Sequence, residues 1–276
     1  MDKPFAPAFE PEAARAPVAA RLTRAGRRLA RGVSRGLVDF VLPPVCMACR
    51  AAVDEPGCLC ASCWSRIGFI ERPICDRLGI PLAYGLDGET HVSAAARADP
   101  PAYGRARAVA LFGEVARDLV HALKYADRLD VAPPMARMMA RAGADILAGA
   151  DALVPVPLHG LRLWRRRFNQ SALLARGVSA SSGVAVRTGW LVRRKATIPQ
   201  VGLDRAARAG NVAGAFAVPE VARAELEGLR VVLVDDVLTT GATLDACVKA
   251  LTRAGAAGVD VLVFARVVDG RAAPIS

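Results

Sequence analysis

Residues 231–244 read VVLVDDVLTTGATL. Four apolar residues run into two adjacent aspartates, and the chain then passes through a threonine-rich turn into another apolar segment. A continuous apolar run marks a strand buried on both faces, as in a parallel sheet covered by helices. Neighbouring carboxylates repel each other, and a purely structural turn has no use for them. In open parallel sheets ligands settle beyond the carboxyl ends of the strands, which is where this reading puts Asp235 and Asp236. Thr239, Thr240, Gly241, Ala242 and Thr243 then lead into a predicted helix. A helix start offers unpaired N–H groups and a partial positive charge, and small hydroxyls add donors. With Gly241 permitting close backbone approach, the loop suits a phosphate. The aspartates would reach hydroxyls of the same ligand, or a metal bridging to it. A phosphate at one end and vicinal hydroxyls in the middle describe a ribose 5-phosphate. The plainer alternative, a polar turn with a threonine N-cap, accounts for the threonines but leaves the doubled carboxylate unexplained. Neither a Walker loop nor G-x-G-x-x-G occurs here.

Working outward, the pattern from about residue 105 alternates strands and helices. ARAVALF (106–112) reads as a strand and VARDLVHALKYADR (115–128) as a helix with Val115, Leu119, Val120 and Leu123 on one face. MARMMARAGADILAGA (135–150) reads as a second helix, DALVPVP (151–157) as a strand, and FNQSALLARGVSASSG (168–183) as a third helix. RVVLVDD (230–236) is a buried strand, ATLDACVKALTRAG (242–255) a helix, and VDVLVFARVV (259–268) a final strand. Such alternation predicts a parallel sheet with helices on both faces.

The rest of the chain has a different character. Residues 1–24 are rich in Ala, Pro and charge and read as a disordered tail. Residues 25–80 hold a short amphipathic helix, stopped by Pro43 and Pro44, and six of the seven cysteines. Residues 81–104 read as a connector and 105–270 as the α/β domain. CMAC at 46–49 and CASC at 60–63 form two C-x-x-C knuckles, and Cys46, Cys49, Cys60 and Cys63 suit a closed, structural tetrahedral zinc site. Cys58 and Cys75 are left over, either able to replace a ligand, and Cys247 reads as core packing.

A net charge of +11 points to an anionic partner. Its distribution says more: from Ala152 to Leu203 there is no acidic residue, while Arg162, Arg165, Arg166, Arg167, Arg176, Arg187, Arg193, Arg194 and Lys195 fall in that span. No apolar run reaches the roughly 20 residues of a membrane span, and no signal-peptide core is visible, so a cytoplasmic protein with reduced thiols is expected.

The motif VVLVDDVLTTGAT resembles the phosphoribosyl pyrophosphate (PRPP) motif of type I phosphoribosyltransferases. The wider pattern, from about Leu37 to Val267, resembles the ComF family, a phosphoribosyltransferase-like group with an N-terminal zinc module, associated with competence for DNA uptake. HALKY (121–125), VPVPLH (154–159) and RFNQ (167–170) are similar to family motifs. So is the spaced set Lys195, Gln200, Leu203, Arg208, Asn211 and GAF (214–216). The resemblance implies a Rossmann-like type I phosphoribosyltransferase fold behind a small zinc-ribbon-like module. It implies that Asp235 and Asp236 contact the ribose hydroxyls and are the catalytic pair, with residues 239–243 holding the 5′-phosphate. Pro157, Leu158 and His159 would face the pyrophosphate, with Arg162 and Arg166 as cationic clamps and Mg²⁺ bridging pyrophosphate and ribose oxygens. Lys124, Asn169, Gln170, Lys195, Gln200, Arg208 and Asn211 fall on the lid or acceptor side. Blander roles compete: a solvated helix face for Arg165–Arg167, snorkelling for Lys124, a loop histidine for His159, a cap or turn for Arg208 and Asn211.

Two departures from the family pattern stand out. Arg167 occupies the glycine position of R-G-F-N-Q, and CDRL (75–78) ends in Leu78 where many relatives have a further cysteine. No residue stands out as a general base. The rival reading is an accessory DNA-uptake protein that grips single-stranded DNA through this basic surface, with Trp164 and Phe168 stacking on bases, and docks a helicase-like partner.

Overall fold

The computed structural model describes residues 43–83, 91–125, 128–158, 167–194 and 214–268. The expected tail and first helix, and the candidates His159, Arg162, Arg166, Lys195, Gln200, Arg208 and Asn211, lie outside the described residues. Val45–Ser276 forms one compact unit, separate from Met1–Pro44.

Two short helices, α1 (Ala61–Arg66) and α2 (Ala94–Ala98), precede the sheet. Then come β1 (Ala106–Leu111), α3 (Glu114–Tyr125), a 3₁₀ turn (Leu129–Val131), α4 (Ala132–Ala142), α5 (Ala144–Leu147) and β2 (Ala152–Pro155). They are followed by α6 (Gln170–Ser182), β3 (Ala185–Val186), β4 (Val192–Arg193), β5 (Phe216–Ala217) and α7 (Glu220–Leu226). The chain closes with β6 (Arg230–Leu238), α8 (Ala242–Arg253) and β7 (Gly258–Arg266). Five strands form a wholly parallel sheet in the order β1-β7-β6-β2-β3, while β4 and β5 make a small antiparallel ribbon.

The apolar runs of the strands divide between two cores by their two-residue period. Val232 and Val234 of β6, Leu262 and Phe264 of β7 and Leu153 of β2 enter one core with α3, α4 and α6. Val231, Leu233, Val261, Val263 and Val154 enter the other with α7 and α8. Leu119 and Leu123 of α3, on the face read from the sequence, are fully buried in the first core, worth about 1.5–3 kcal/mol each by transfer. The cysteine segment belongs to that core as well, through Cys46, Met47, Cys63 and Ile67.

Buried Arg107 of β1 joins three parts of the unit. It pairs with Asp145 of α5 at 2.6 Å and with Asp76 of the cysteine-bearing segment, and donates to the Asp76 carbonyl at 2.9 Å. A guanidinium only 2% exposed needs this compensation, because desolvation of an unpaired charge is costly.

The structure differs from the sequence reading in three places. The single helix expected over 135–150 is broken at Gly143 into α4 and α5; a Cβ there would meet Leu262 Cδ1 at 2.8 Å, so the backbone packs directly on β7. The connector contains α2, and residues around it form a small third core of Cys75, Ile80 and Ala96. Strand β6 does not stop at the aspartates. Its ladder with β7 continues through Val237↔Ala265 and Leu238↔Arg266, placing the acidic pair inside the strand's last turn of pleat.

Candidate functional site

Strand order fixes where a ligand has room. The chain leaves β2 through α6 to reach β3 on one side, and leaves β6 through α8 to reach β7 on the other. The two connections therefore diverge between β2 and β6, which are neighbours in the sheet (Pro155↔Val234), and open a crevice at their carboxyl ends. Onto that crevice converge the segment after β2, the end of β6 and the loop before α8.

Gly241 occupies the N-cap position of α8 at φ 83° and, being glycine, supplies no side-chain cap. The threonine N-cap alternative is thus excluded, and the first turn of a twelve-residue helix presents its N–H groups beside Thr239 and Thr240. A left-handed conformation at this point is what glycine allows without a Cβ penalty.

The acidic pair is held by two partners from other elements. Ser171 of α6, 1% exposed, donates its hydroxyl to Asp235 Oδ1 at 2.8 Å. Lys124, near the end of α3, brings its Nζ to 2.6 Å from Asp236 Oδ2. That contact is an ion pair rather than an aligned hydrogen bond, since Oδ2 is buried and has no well-directed donor. The Asp236 N–H donates back to Asp235 Oδ1 at 2.9 Å. Burial pushes Asp235 up to about 7, and the neighbouring Asp236 carboxylate pushes the same way. The Ser171 hydroxyl, Lys124 and the Asp236 N–H work against that rise.

On the β2 side, Val156 donates to Val234 O at 3.0 Å, extending the pairing beyond the strand, and Pro157 and Leu158 follow half-buried. Asn169 closes the base of the intervening loop. Its Nδ2 donates to Val156 O at 3.0 Å, while its Oδ1 accepts from the N–H groups of Ser171 and Ala172, capping α6. Gln170 is buried beside it. Arg167 takes φ 62°, so the loop keeps a left-handed residue at the position where the resemblance leads one to expect glycine.

The structure thus brings Asp235, Asp236 and Lys124 together, with Asn169 and Gln170 leading into the helix that supplies Ser171. Ser171 was missed by sequence reasoning. A serine in the first turn of a capped helix is ordinary, and nothing local announces a partner 64 residues away.

The second cluster is the cysteine quartet. The Sγ atoms of Cys46, Cys49, Cys60 and Cys63 lie within 4.8 Å of one another, and Cys49 and Cys60 are 3.6 Å apart. A tetrahedron with Zn–S near 2.3 Å requires about 3.8 Å between sulfurs. Burial raises the Cys46 thiol, but N–H donors from Cys60, Cys49 and Ala48 outweigh it and bring the group down to about 6. Burial and the surrounding sulfurs push Cys63 up to about 12. Four thiols crowded in this way fit a cation that would take all of them as thiolates, which supports a structural zinc. Cys75 stands apart: fully buried, its Sγ accepts the N–H groups of Leu78 at 3.4 Å and Ser93 at 3.3 Å.

Comparison with known proteins agrees with both clusters. A family profile described as a phosphoribosyl transferase domain matches residues 135–275, and a double zinc ribbon domain matches residues 37–95. The DNA utilization protein YhgH of Salmonella typhimurium (strain LT2) is 32% identical over 237 residues, covering 82% of this chain and 99% of its own length. Competence protein F of Haemophilus influenzae is 29% identical over 227 residues, covering 80% of this chain and 96% of its own. The chain belongs to the ComF family of phosphoribosyltransferase-domain proteins. Among solved structures, the glutamine phosphoribosylpyrophosphate amidotransferase of B. subtilis aligns at 24% identity and a TM-score of 0.35, over 51% of this chain and 30% of that one.

In this ComF-family chain the described residues do not complete the second zinc site of a double ribbon. Leu78 stands where a knuckle needs its second thiol and packs with Leu82, Val92 and Val268 on the core of Cys75, Ile80 and Ala96. Asp76 is taken by Arg107. The two N–H···S contacts of a knuckle persist, but among the described residues only one group of cysteines is arranged to hold a metal. No helix among the described residues is long and apolar enough to cross a membrane.

Proposed function

We propose that this chain binds PRPP with Mg²⁺ in the crevice between β2 and β6 and transfers its phosphoribosyl group to an acceptor, releasing pyrophosphate. The observation that carries the reading is the juxtaposition, on one strand end, of a held carboxylate pair and a helix start with Gly241 at its N-cap in the left-handed region. The 5′-phosphate would lie against residues 239–243, where N–H groups and hydroxyls meet it. Asp235 and Asp236 would accept hydrogen bonds from the ribose hydroxyls and fix the ring. Pro157 and Leu158, at the end of β2, would bound the pyrophosphate, with Asn169 and Val156 holding the base of that loop. A bond forms from the acceptor to the anomeric carbon as the bond from that carbon to the pyrophosphate oxygen breaks, and the electron pair leaves with pyrophosphate. Bound Mg²⁺ would neutralise charge on the departing pyrophosphate. The chain's own contribution is orientation and a partly desolvated, charge-matched crevice.

The names of the relatives support placing this chemistry in the use or uptake of DNA by the cell. They also support a second reading, a non-catalytic accessory that binds single-stranded DNA and a helicase-like partner, favoured by the acid-free basic span from Ala152 to Leu203. Calorimetric titration of the zinc-loaded protein with PRPP, with and without Mg²⁺, separates the two. The first reading requires binding that the Asp235→Asn/Asp236→Asn double variant loses. No binding by the folded wild type, together with salt-steep binding of single-stranded DNA that survives the double substitution, would establish the second instead.

A further inference from the structure

The carboxylate pair has a cation of its own. Lys124 reaches it from α3, an element that carries neither the phosphate loop nor either flank of the crevice. Its side chain is 22% exposed and that of Asp236 only 5%, so the ammonium sits over the carboxylate and shields it from solvent. The stem comes off an otherwise core-facing helix, anchored by Leu119, Val120 and Leu123, so the charge is delivered from a fixed base. Asp235 is held separately, by the Ser171 hydroxyl and the Asp236 N–H. Each carboxylate therefore has its own restraint.

Two adjacent carboxylates with no counter-charge would be an open invitation to a divalent cation, which is held by just such oxygen donors. Here one of the two is already neutralised at 2.6 Å, and any divalent ion joining the pair would have to approach the ammonium closely or expel it. What the pair retains is acceptor capacity on Asp235, the more exposed of the two, suited to neutral hydroxyl donors.

We propose that Lys124 is the resident cation of the acidic pair, a positioning residue that makes Asp235 and Asp236 a receptor for vicinal hydroxyls and bars a divalent ion from binding them directly. Magnesium then enters only with the phosphates of the ligand. The identity of the ligand rests on the proposed function, but the exclusion of a divalent ion does not.

The experiment uses the full-length, zinc-loaded protein at about pH 8, above the value of about 7 to which Asp235 is pushed. Mn²⁺ serves as the probe, counted by the loss of its free paramagnetic resonance signal; it ranks below zinc in affinity for thiolates and leaves the cysteine site filled. The wild type and Lys124→Arg are expected to retain no Mn²⁺ in the absence of PRPP. Lys124→Met, which keeps the apolar stem, is expected to gain a Mn²⁺ site at least about tenfold tighter than any in the wild type, abolished again in Lys124→Met/Asp236→Asn. In parallel, PRPP affinity should fall about tenfold or more in Lys124→Met and recover in Lys124→Arg. Equal Mn²⁺ binding by wild type and Lys124→Met would overturn the proposal. So would unchanged PRPP affinity in Lys124→Met where the wild type binds PRPP. If the Mn²⁺ result is as expected and no variant binds PRPP, the proposed function fails while the role of Lys124 stands.

Discussion

Replacing Asp235 with asparagine should stabilise the ligand-free protein while destroying the site. In the fold its carboxyl is pushed from an ordinary 3.8 to about 7, chiefly by burial and then by Asp236. Above pH 7 the native state must therefore hold a carboxylate that it disfavours by about three pK units, or at most about 4 kcal/mol at 1.36 kcal/mol per unit. The residue is only half-buried and shares its field with Asp236 and Lys124, so about 2 kcal/mol is the expected gain. Between pH 3.8 and 7 the folded protein binds more protons at this group than the unfolded chain does. Its contribution to stability is therefore lost as pH rises through that window. Asparagine carries no such charge and keeps an oxygen for the Ser171 hydroxyl. Urea unfolding in magnesium-free buffer, without a chelator that would strip zinc, should show Asp235→Asn more stable than wild type by about 2 kcal/mol near pH 8.5. The difference should shrink to about half of that near pH 5.5. A variant that is less stable at both pH values, or whose advantage ignores pH, would refute the reasoning that this carboxylate is held against its preference for the sake of a ligand.

The remaining expectations concern the zinc site and the frame. Elemental analysis of the full chain should give one zinc, lost in Cys46→Ser and retained in Cys75→Ala; two zincs, or loss on changing Cys75, would restore the second ribbon. Arg167→Gly should raise stability by about 1 kcal/mol in chemical unfolding, because φ 62° costs arginine but not glycine; an equal or lower midpoint would mean that the arginine side chain compensates its own strain. Arg107→Ala should cost roughly 3 kcal/mol, somewhat below a fully buried pair because Asp145 and Asp76 keep some exposure and Asp145 keeps its contact with Arg72. Unfolding midpoints that barely move would show that water takes the place of the guanidinium.

Much of this was legible in one dimension, for reasons that are local. A strand buried on both faces must be apolar throughout, so VVLV and VLVF announced β6 and β7 wherever they came to lie in the sheet. Thiols three positions apart on a turn face one point, so CMAC and CASC announced a metal site. Thr-Thr-Gly before an amphipathic segment announced a helix start. The break at Gly143 was hidden because a glycine inside a helical pattern is silent until the strand it packs against is known.

Sequence alone determined the parallel α/β architecture, the cysteine quartet and the acidic pair followed by a threonine-rich helix start, since each depends on residue type and spacing within a short stretch. Tertiary structure decided that the crevice opens between β2 and β6, that the pair is inside the strand, and that Lys124 and Ser171 each hold one of its carboxylates. It likewise decided that Leu78 closes the second ribbon with an apolar core and that Arg107 ties the cysteine segment to the sheet. Those contacts join residues far apart along the chain, and their energies exist only once the backbone has brought a donor to its acceptor or a charge to its counter-charge.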